Sequence, residues 1–445
     1  MPANGPYLVS VTLAAIALLL VLILWVKLHA FLAMMLSSMA LGLAAHMTPA
    51  AVLKSIQFGF GDALGFIAVV VALGAMIGRF LEHSGGGVVL ADWLLEKFGR
   101  DRAVWAVLVA AYLVGLPIFF EVGFIILVPL VWSLAQESKR SLLLYGMPMI
   151  MALTVTHTAV PPHPGPAAAA QLLGADIGRV MVYGIVISFP LAVLGGIVYG
   201  GWIARRLFIP VPEMALAKAD EKPAGKPPDV SIVLFLLILP VLLIFLATIS
   251  EVANVPGKAA LGFLGHPFTA LMVTTAACMY FFGLRAGLDR DGLLKLVTDS
   301  LLPTGTLIAI MGGGGAFKQV IVDAGVGPYA GRMLSASGAS PILVSYIIAF
   351  ALRFAQGSAT VAIITAAGIM APIVKSIPGY SSEIIVMAVC AGAAAMSHVN
   401  DAGFWIVNNY FGMTVPQTLR SWTVARVITS LAGLAMVFAA QALLG

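Results

Sequence analysis

Between Arg102 and Glu137 run 34 residues whose single charge is Glu121. As one straight helix they would measure about 50 Å, well beyond the roughly 30 Å hydrocarbon core that a membrane helix crosses. Pro117 sits near the middle, and basic residues flank both ends: Arg100 and Arg102 before, Lys139 and Arg140 after. A segment that enters and leaves a bilayer on the same side accounts for all of this. It is read as a re-entrant hairpin with its tip near residues 115–123.

Composition places the rest of the chain in the same solvent. Soluble domains are about half apolar and a quarter charged; this chain is 61% apolar and 10% charged, with a mean hydropathy of +1.05. The net charge of +5 is scattered over short loops, with no basic arm or aromatic-interleaved stripe for nucleic acid. Cys278 and Cys390 both lie in apolar stretches and read as packing residues, not a disulfide or metal pair. Residues 1–10 carry no Lys or Arg ahead of the apolar run 11–26, so that run reads as a retained helix and not a cleavable signal.

The 20-residue rule predicts simple spans near 7–28, 29–47, 62–82 and 177–203, then near 231–251, 262–283, 302–322 and 417–444. Two short stretches, 48–60 and 88–98, read as amphipathic, the latter with Leu90, Trp93 and Leu94 on one face. Three further stretches are too long for one crossing. The stretch 339–375 breaks at Gln356, Gly357 and Ser358 and reads as a second hairpin. The stretches 141–174 and 381–411 are interrupted by HTAVPPHPGP (157–166) and SHVNDAG (397–403), and read as broken spanning helices.

The interruptions recur. Gly74-Ala75 returns as Gly315-Ala316, Glu82 as Asp323, Ser141 as Ser382 and His157 as His398, each 241 residues later. The expected fold is therefore an all-α polytopic membrane protein of two repeats, each with five crossings plus one re-entrant hairpin. Residues 1–203 form the first repeat, 204–230 a cytoplasmic linker and 231–445 the second. An odd number of crossings inverts the second copy, the arrangement common in secondary carriers. With both termini outside, 17 Lys and Arg fall on the cytoplasmic side, Arg420 and Arg426 among them, against 5 outside. That bias follows the positive-inside rule.

Non-helical backbone at membrane depth must be buried in protein or line a wet cavity. Four breaks therefore predict one site near the midplane, where broken helices present N-terminal N–H groups to an anion. Candidate substrate-binding residues are Gln356, Gly357, Ser358 and Thr360 at the second tip, Arg353 just before it, and His157, His163, His398 and Asn400 at the other breaks. Charged groups inside spans are site hypotheses by default, and Glu121 and Asp401 are the candidates for proton coupling.

Plainer readings stand beside these. Ser358 and Thr360 could bond back to their own helix. Glu121 could pair with Arg353, and Arg353 could be that structural partner and not a carboxylate clamp. Asp401 and Asn400 could cap the following helix, and the histidines could be packing residues with or without a relay role. The spacing of His157 and His163 argues against zinc. Lys318 adjoins the run Gly312–Gly315, whose glycines suggest close helix packing and lack the phosphate-loop pattern.

At these breaks the chain resembles the gluconate permease family of bacterial gluconate:proton symporters. The matching stretches are FFEVGFIILVPL (119–130), VTHTAVPPHPGP (155–166), GGGGAFKQVIVDAGVG (312–327), LRFAQGSATVAIITAAGIMAP (352–372) and SHVNDAGFW (397–405). Ala402 and Gln356 depart from the family pattern, which has proline and an aliphatic residue there. The resemblance implies a multi-pass protein of the bacterial inner membrane that symports a small sugar-acid anion with a proton and needs no cofactor. It also implies a wider group of anion carriers that are often homodimers. Glycerate, keto sugar acids, D-serine and sodium coupling remain as alternatives, and an intramembrane hydrolase built on His157 and Ser358 is the reading from a different class.

Overall fold

The structure, a computed structural model, describes residues 5–212, 227–252, 257–302, 304–374, 377, 379–398 and 401–444. Residues 213–226 of the expected linker lie outside that set. The described residues form helices joined by short turns, with no strand among them. Nine helical stretches among them are long and apolar enough to cross a membrane, one of which, Leu143–Leu173, spans a break.

The first half runs α1 (Gly5–Leu24), α2 (Ala30–Ala44), α3 (Pro49–His83), α4 (Gly86–Phe98), α5 (Ala103–Gly115), α6 (Phe120–Ser138), α7 (Leu143–Ala159), α8 (Pro164–Leu173) and α9 (Ile177–Arg206). The second half runs α10 (Val230–Val252), α11 (Lys258–Gly265), α12 (Pro267–Ala286), α13 (Arg290–Leu301), α14 (Thr304–Asp323) and α15 (Gly327–Ser337). It ends with α16 (Pro341–Gln356), α17 (Ala359–Val374), α18 (Ser382–Ala393), α19 (Ala402–Tyr410) and α20 (Val415–Leu443).

Two sequence boundaries are corrected. The expected amphipathic segment 48–60 and span 62–82 are one continuous 35-residue helix, α3. Its start is fixed by Thr48, whose side chain accepts from the Ala51 N–H at 3.2 Å, with Pro49 in the first turn. Gly59, Gly61 and Gly65 do not interrupt it, because its middle packs on α14. A Cβ on Gly59 would stand 2.4 Å from the Gly315 carbonyl oxygen, and one on Gly315 would stand 2.3 Å from that of Gly59. Gly312 lies under the Phe60 ring and Gly314 against Ile364. The glycine run is thus a helix-crossing surface, as expected. The second correction concerns the break expected at 397–403, which begins earlier. Helix α18 ends at Ala393 and the chain becomes helical again at Ala402.

Burial separates inner from outer helices. In the stretch 143–173, 89% of the most apolar window is enclosed by protein, against 24% in α1 and 28% in α10. The outer helices turn side chains such as Leu13, Trp25, Phe58 and Phe235 outward, the surface that lipid requires. The broken elements lie inside. Helix α5 has 13 residues and α18 has 12, about 20 Å each at the helical rise, so neither crosses the bilayer alone. α5 packs on α7, α16 on α18, and α17 on α8. These contacts bring the four chain breaks to the centre of the molecule.

Candidate functional site

Each break is made by its own sequence. After α5 the chain passes through Leu116, Pro117, Ile118 and Phe119 before α6 begins, and Glu121 lies in the first turn of α6. Gly115 allows this tip to reach α7, since a Cβ there would stand 2.5 Å from the Thr156 hydroxyl. After α7, the run Val160–His163 separates it from α8, with His163 at the N-cap position and Pro164 opening the helix. At the second tip, Gly357 closes α16 with φ of +79°, a conformation that favours glycine. Ser358 follows, its hydroxyl accepting from the Val361 N–H at 3.4 Å. Asp401 caps α19, one carboxylate oxygen accepting from the Gly403 N–H at 3.1 Å.

The four helices that start at these breaks share one cavity of about 340 Å³. Its walls carry Phe120 and Glu121 of α6, Pro164 of α8, Ala359 and Thr360 of α17, and Ala402 and Gly403 of α19. Every one of these lies in a first helical turn. The positive ends of four helix dipoles thus border a single space, an arrangement suited to an anion. Phe119, Thr154, His157, Thr158, Arg353, Gly357, Ser358, Asp401, Trp422 and Arg426 complete the lining.

The sequence-derived candidates divide. Arg353, Gly357, Ser358, Thr360, His157, Glu121 and Asp401 all line the cavity. His163 and His398 are not among its lining residues. His163 is buried and donates from Nε2 to the Gly115 carbonyl at 2.7 Å, tying the α8 break to the first tip. His398 donates from Nε2 to the Phe354 carbonyl at 3.0 Å, and its ring lies 5.0 Å from that of Phe354. His157 differs from both in lining the cavity: its ring lies 4.9 Å from that of His163, and its Nδ1 has no hydrogen-bond partner among the described residues. Asn400 and the Gln356 side chain lie outside the described residues.

Arg353 does not pair with Glu121. Its guanidinium pairs with Asp401 and donates to the Gly357 carbonyl, and its Nε donates to the Ala395 carbonyl at 3.3 Å. Asp401 also accepts from the Ser397 hydroxyl. Ser397 accepts in turn from Trp422 Nε1 at 2.6 Å, and its carbonyl accepts from the Thr423 hydroxyl at 2.5 Å. This network joins the second tip, the α18–α19 break and the π-helical turn of α20 over Leu419–Thr423. Asp401 is therefore cap and ion-pair partner at once. Glu121 is exposed, and its carboxylate has no ion-pair partner among the described residues. Thr158 bonds back to the Thr154 carbonyl at 2.9 Å, the plainer use of a hydroxyl in a membrane helix.

Arg426 corrects the loop count. Placed with the cytoplasmic cations by sequence, it is 1% exposed in the body of α20 and lines the cavity. The signal that would have found it is a cation well inside an apolar span. Its closeness to Arg420, six residues earlier, made it resemble a helix-end charge. Lys318 stands away from this cavity, 3.9 Å from Asp62. The described residues hold no group of three or more His, Cys, Asp or Glu placed to bind a metal.

A second cavity of about 340 Å³ lies on the other side of the first tip, lined by Gly74, Gly78, Arg79, Glu82, Pro117, Ile118, Asp299 and Ser300 among others. Phe119 lines both cavities.

Two solved structures share this fold. The chain superposes on the YdaH transporter of Alcanivorax borkumensis with a TM-score of 0.64 at 13% identity, covering 87% of each chain. On MtrF of Neisseria gonorrhoeae the TM-score is 0.65 at 16% identity, covering 87% of this chain and 83% of that one. By sequence, the chain is 40% identical to a gluconate permease of Pseudomonas aeruginosa over 98% of both chains. It is 39% identical to the high-affinity gluconate transporter of Escherichia coli over 96% of this chain and 97% of that one. It is 37% identical to the L-idonate transporter of the same organism over 97% and 98%. The family model described as GntP family permease matches residues 7–444. The chain belongs to the GntP permease family and is a multi-pass protein of the bacterial inner membrane.

Proposed function

We propose that this permease imports gluconate or a closely related sugar-acid anion by proton symport, with the cavity at the four breaks as its binding site. The observation that carries this is the convergence of four helix N-termini on one space that also holds an unpaired carboxylate, Glu121. The helix ends favour the anion, and a carboxylate facing the same space can take up a proton with it. Asp401, the other candidate for the proton, is occupied by Arg353, Ser397 and the α19 cap. Glu121 is therefore assigned the coupling role. Relatives named for gluconate and for L-idonate support the substrate class and leave the choice within it to experiment.

The same reading takes the two halves, 1–203 and 231–445, as inverted repeats with re-entrant hairpins at α5–α6 and α16–α17. Helix starts support it, since they recur 238 or 239 residues apart: Ala103 and Pro341, Phe120 and Ala359, Leu143 and Ser382, Pro164 and Ala402. The second cavity then serves as an approach from one membrane face, with Phe119 between it and the site. A homodimer in which one part of each chain moves against a fixed scaffold belongs to the same proposal.

Uptake by a carrier-deficient host tests the substrate. Labelled gluconate is expected to enter and to be displaced by excess gluconate or L-idonate, with D-serine a weaker competitor. If no sugar acid competes, the substrate assignment fails.

A further inference from the structure

Two buried guanidiniums line the cavity, and their bonding differs. Arg353 directs Nε, Nη1 and Nη2 to the Ala395 carbonyl, the Gly357 carbonyl and Asp401. Arg426 is equally buried, yet its Nε and Nη1 have no hydrogen-bond acceptor among the described residues. A guanidinium keeps its charge in proteins and carries five donors in a planar fork matched to a carboxylate. Burying it unpaired is costly, and pairing it with an anion offsets that cost.

Its surroundings hold it for such a partner. The Arg426 guanidinium lies 5.7 Å from the centre of the Trp422 ring, within the range of a cation–π contact. Trp422 is itself fixed through its bond to Ser397. His157 lines the same cavity, and its buried Nδ1 is likewise unpartnered. An imidazole nitrogen donates in one tautomer and accepts in the other, so it suits a hydroxyl, which can do either.

We infer that Arg426 clamps the substrate carboxylate while His157 bonds the hydroxyl on the neighbouring carbon, which makes this a 2-hydroxycarboxylate site. Arg353, the more obvious sequence candidate, is a positioning residue that holds the second tip to the α19 cap. The inference rests on the sugar-acid reading of the cavity and specifies which groups recognise the acid.

The test is equilibrium binding of gluconate and of gluconamide, its neutral carboxamide, to purified full-length protein in lipid nanodiscs. Wild type is expected to prefer gluconate by at least about tenfold, since a site built for a charged group rejects an analogue lacking it. In Arg426→Gln that preference should collapse to less than about threefold, because gluconate binding weakens while gluconamide binding changes little. A merely structural role would weaken both ligands together and leave their ratio unchanged, and an unchanged ratio overturns the inference. If Arg426→Gln is not recovered as folded protein, Arg426→Lys decides. It keeps the charge but loses the planar fork, and its ratio should fall by at least about threefold; no fall overturns the inference. His157→Ala should in parallel lose the preference for gluconate over 2-deoxygluconate while keeping that over gluconamide. If wild type itself binds no sugar acid, the sugar-acid reading fails, and this inference fails with it.

Discussion

At the scale of single residues, the cavity combines one satisfied charge network with charges that the protein leaves for other partners. Removing one member of the Arg353–Asp401 pair leaves the other charge buried and unpaired, a cost of about 3–5 kcal/mol. Arg353→Gln and Asp401→Asn should therefore each lower the melting temperature of the purified protein. The double variant should recover part of the loss, and single variants that melt like wild type would contradict the ion-pair assignment. Glu121 should behave differently. Glu121→Gln should leave folding and substrate exchange intact while abolishing accumulation driven by a pH gradient, read by comparing counterflow with gradient-driven uptake in vesicles. Most of these residues could be found in the sequence, because a charge in a long apolar segment demands a reason. Their partners could not. His157 and His398 lie 241 residues apart, at matching places in the proposed repeat, yet one faces the cavity and the other bonds the Phe354 carbonyl. Arg426 follows Arg420 by six residues and reads with it as a helix-end charge, although its place inside an apolar span is the signal that marks it as buried.

At the scale of helices, the α3–α14 crossing depends on backbone contact at Gly59 and Gly315. Gly59→Ala places a methyl against a carbonyl that cannot rotate away, and overpacking of this kind costs about 1–3 kcal/mol. Gly61→Ala and Gly65→Ala meet nothing within 4 Å and should be neutral or slightly stabilising, since Ala is the better helix former by up to about 1 kcal/mol. Thermal melts of the three variants check this, and equal losses in all three would refute a specific crossing. The breaks themselves were visible from sequence because proline, glycine and polar side chains interrupt otherwise apolar stretches, and each has a local cause in the structure. The continuity of α3 was not visible. Glycine in a membrane helix marks either a turn or a close crossing, and only the facing helix decides which. The early end of α18 was likewise hidden, since Ala394 and Ala395 are as compatible with helix as the residues before them.

At the scale of the whole molecule, the inverted-repeat proposal places the outer ends of the two hairpins on opposite faces of the membrane. Single cysteines introduced as Ser138→Cys and Ala339→Cys, both at exposed positions, should react with an impermeant thiol reagent from opposite sides. Ser138→Cys should react from the cytoplasm and Ala339→Cys from outside. The native Cys278 and Cys390 are buried and should contribute little background. Labelling of both positions from the same face would refute the inversion while leaving the cavity in place. Coupling belongs to this scale as well, because it links the cavity to both faces. The most direct test is uptake of labelled gluconate by liposomes containing only this protein, with the outside more acidic than the lumen. Accumulation above the external concentration, abolished by a protonophore and by Glu121→Gln, is the predicted result. Uptake that only equilibrates, or accumulation that survives Glu121→Gln, would contradict a proton-coupled anion site at the four breaks.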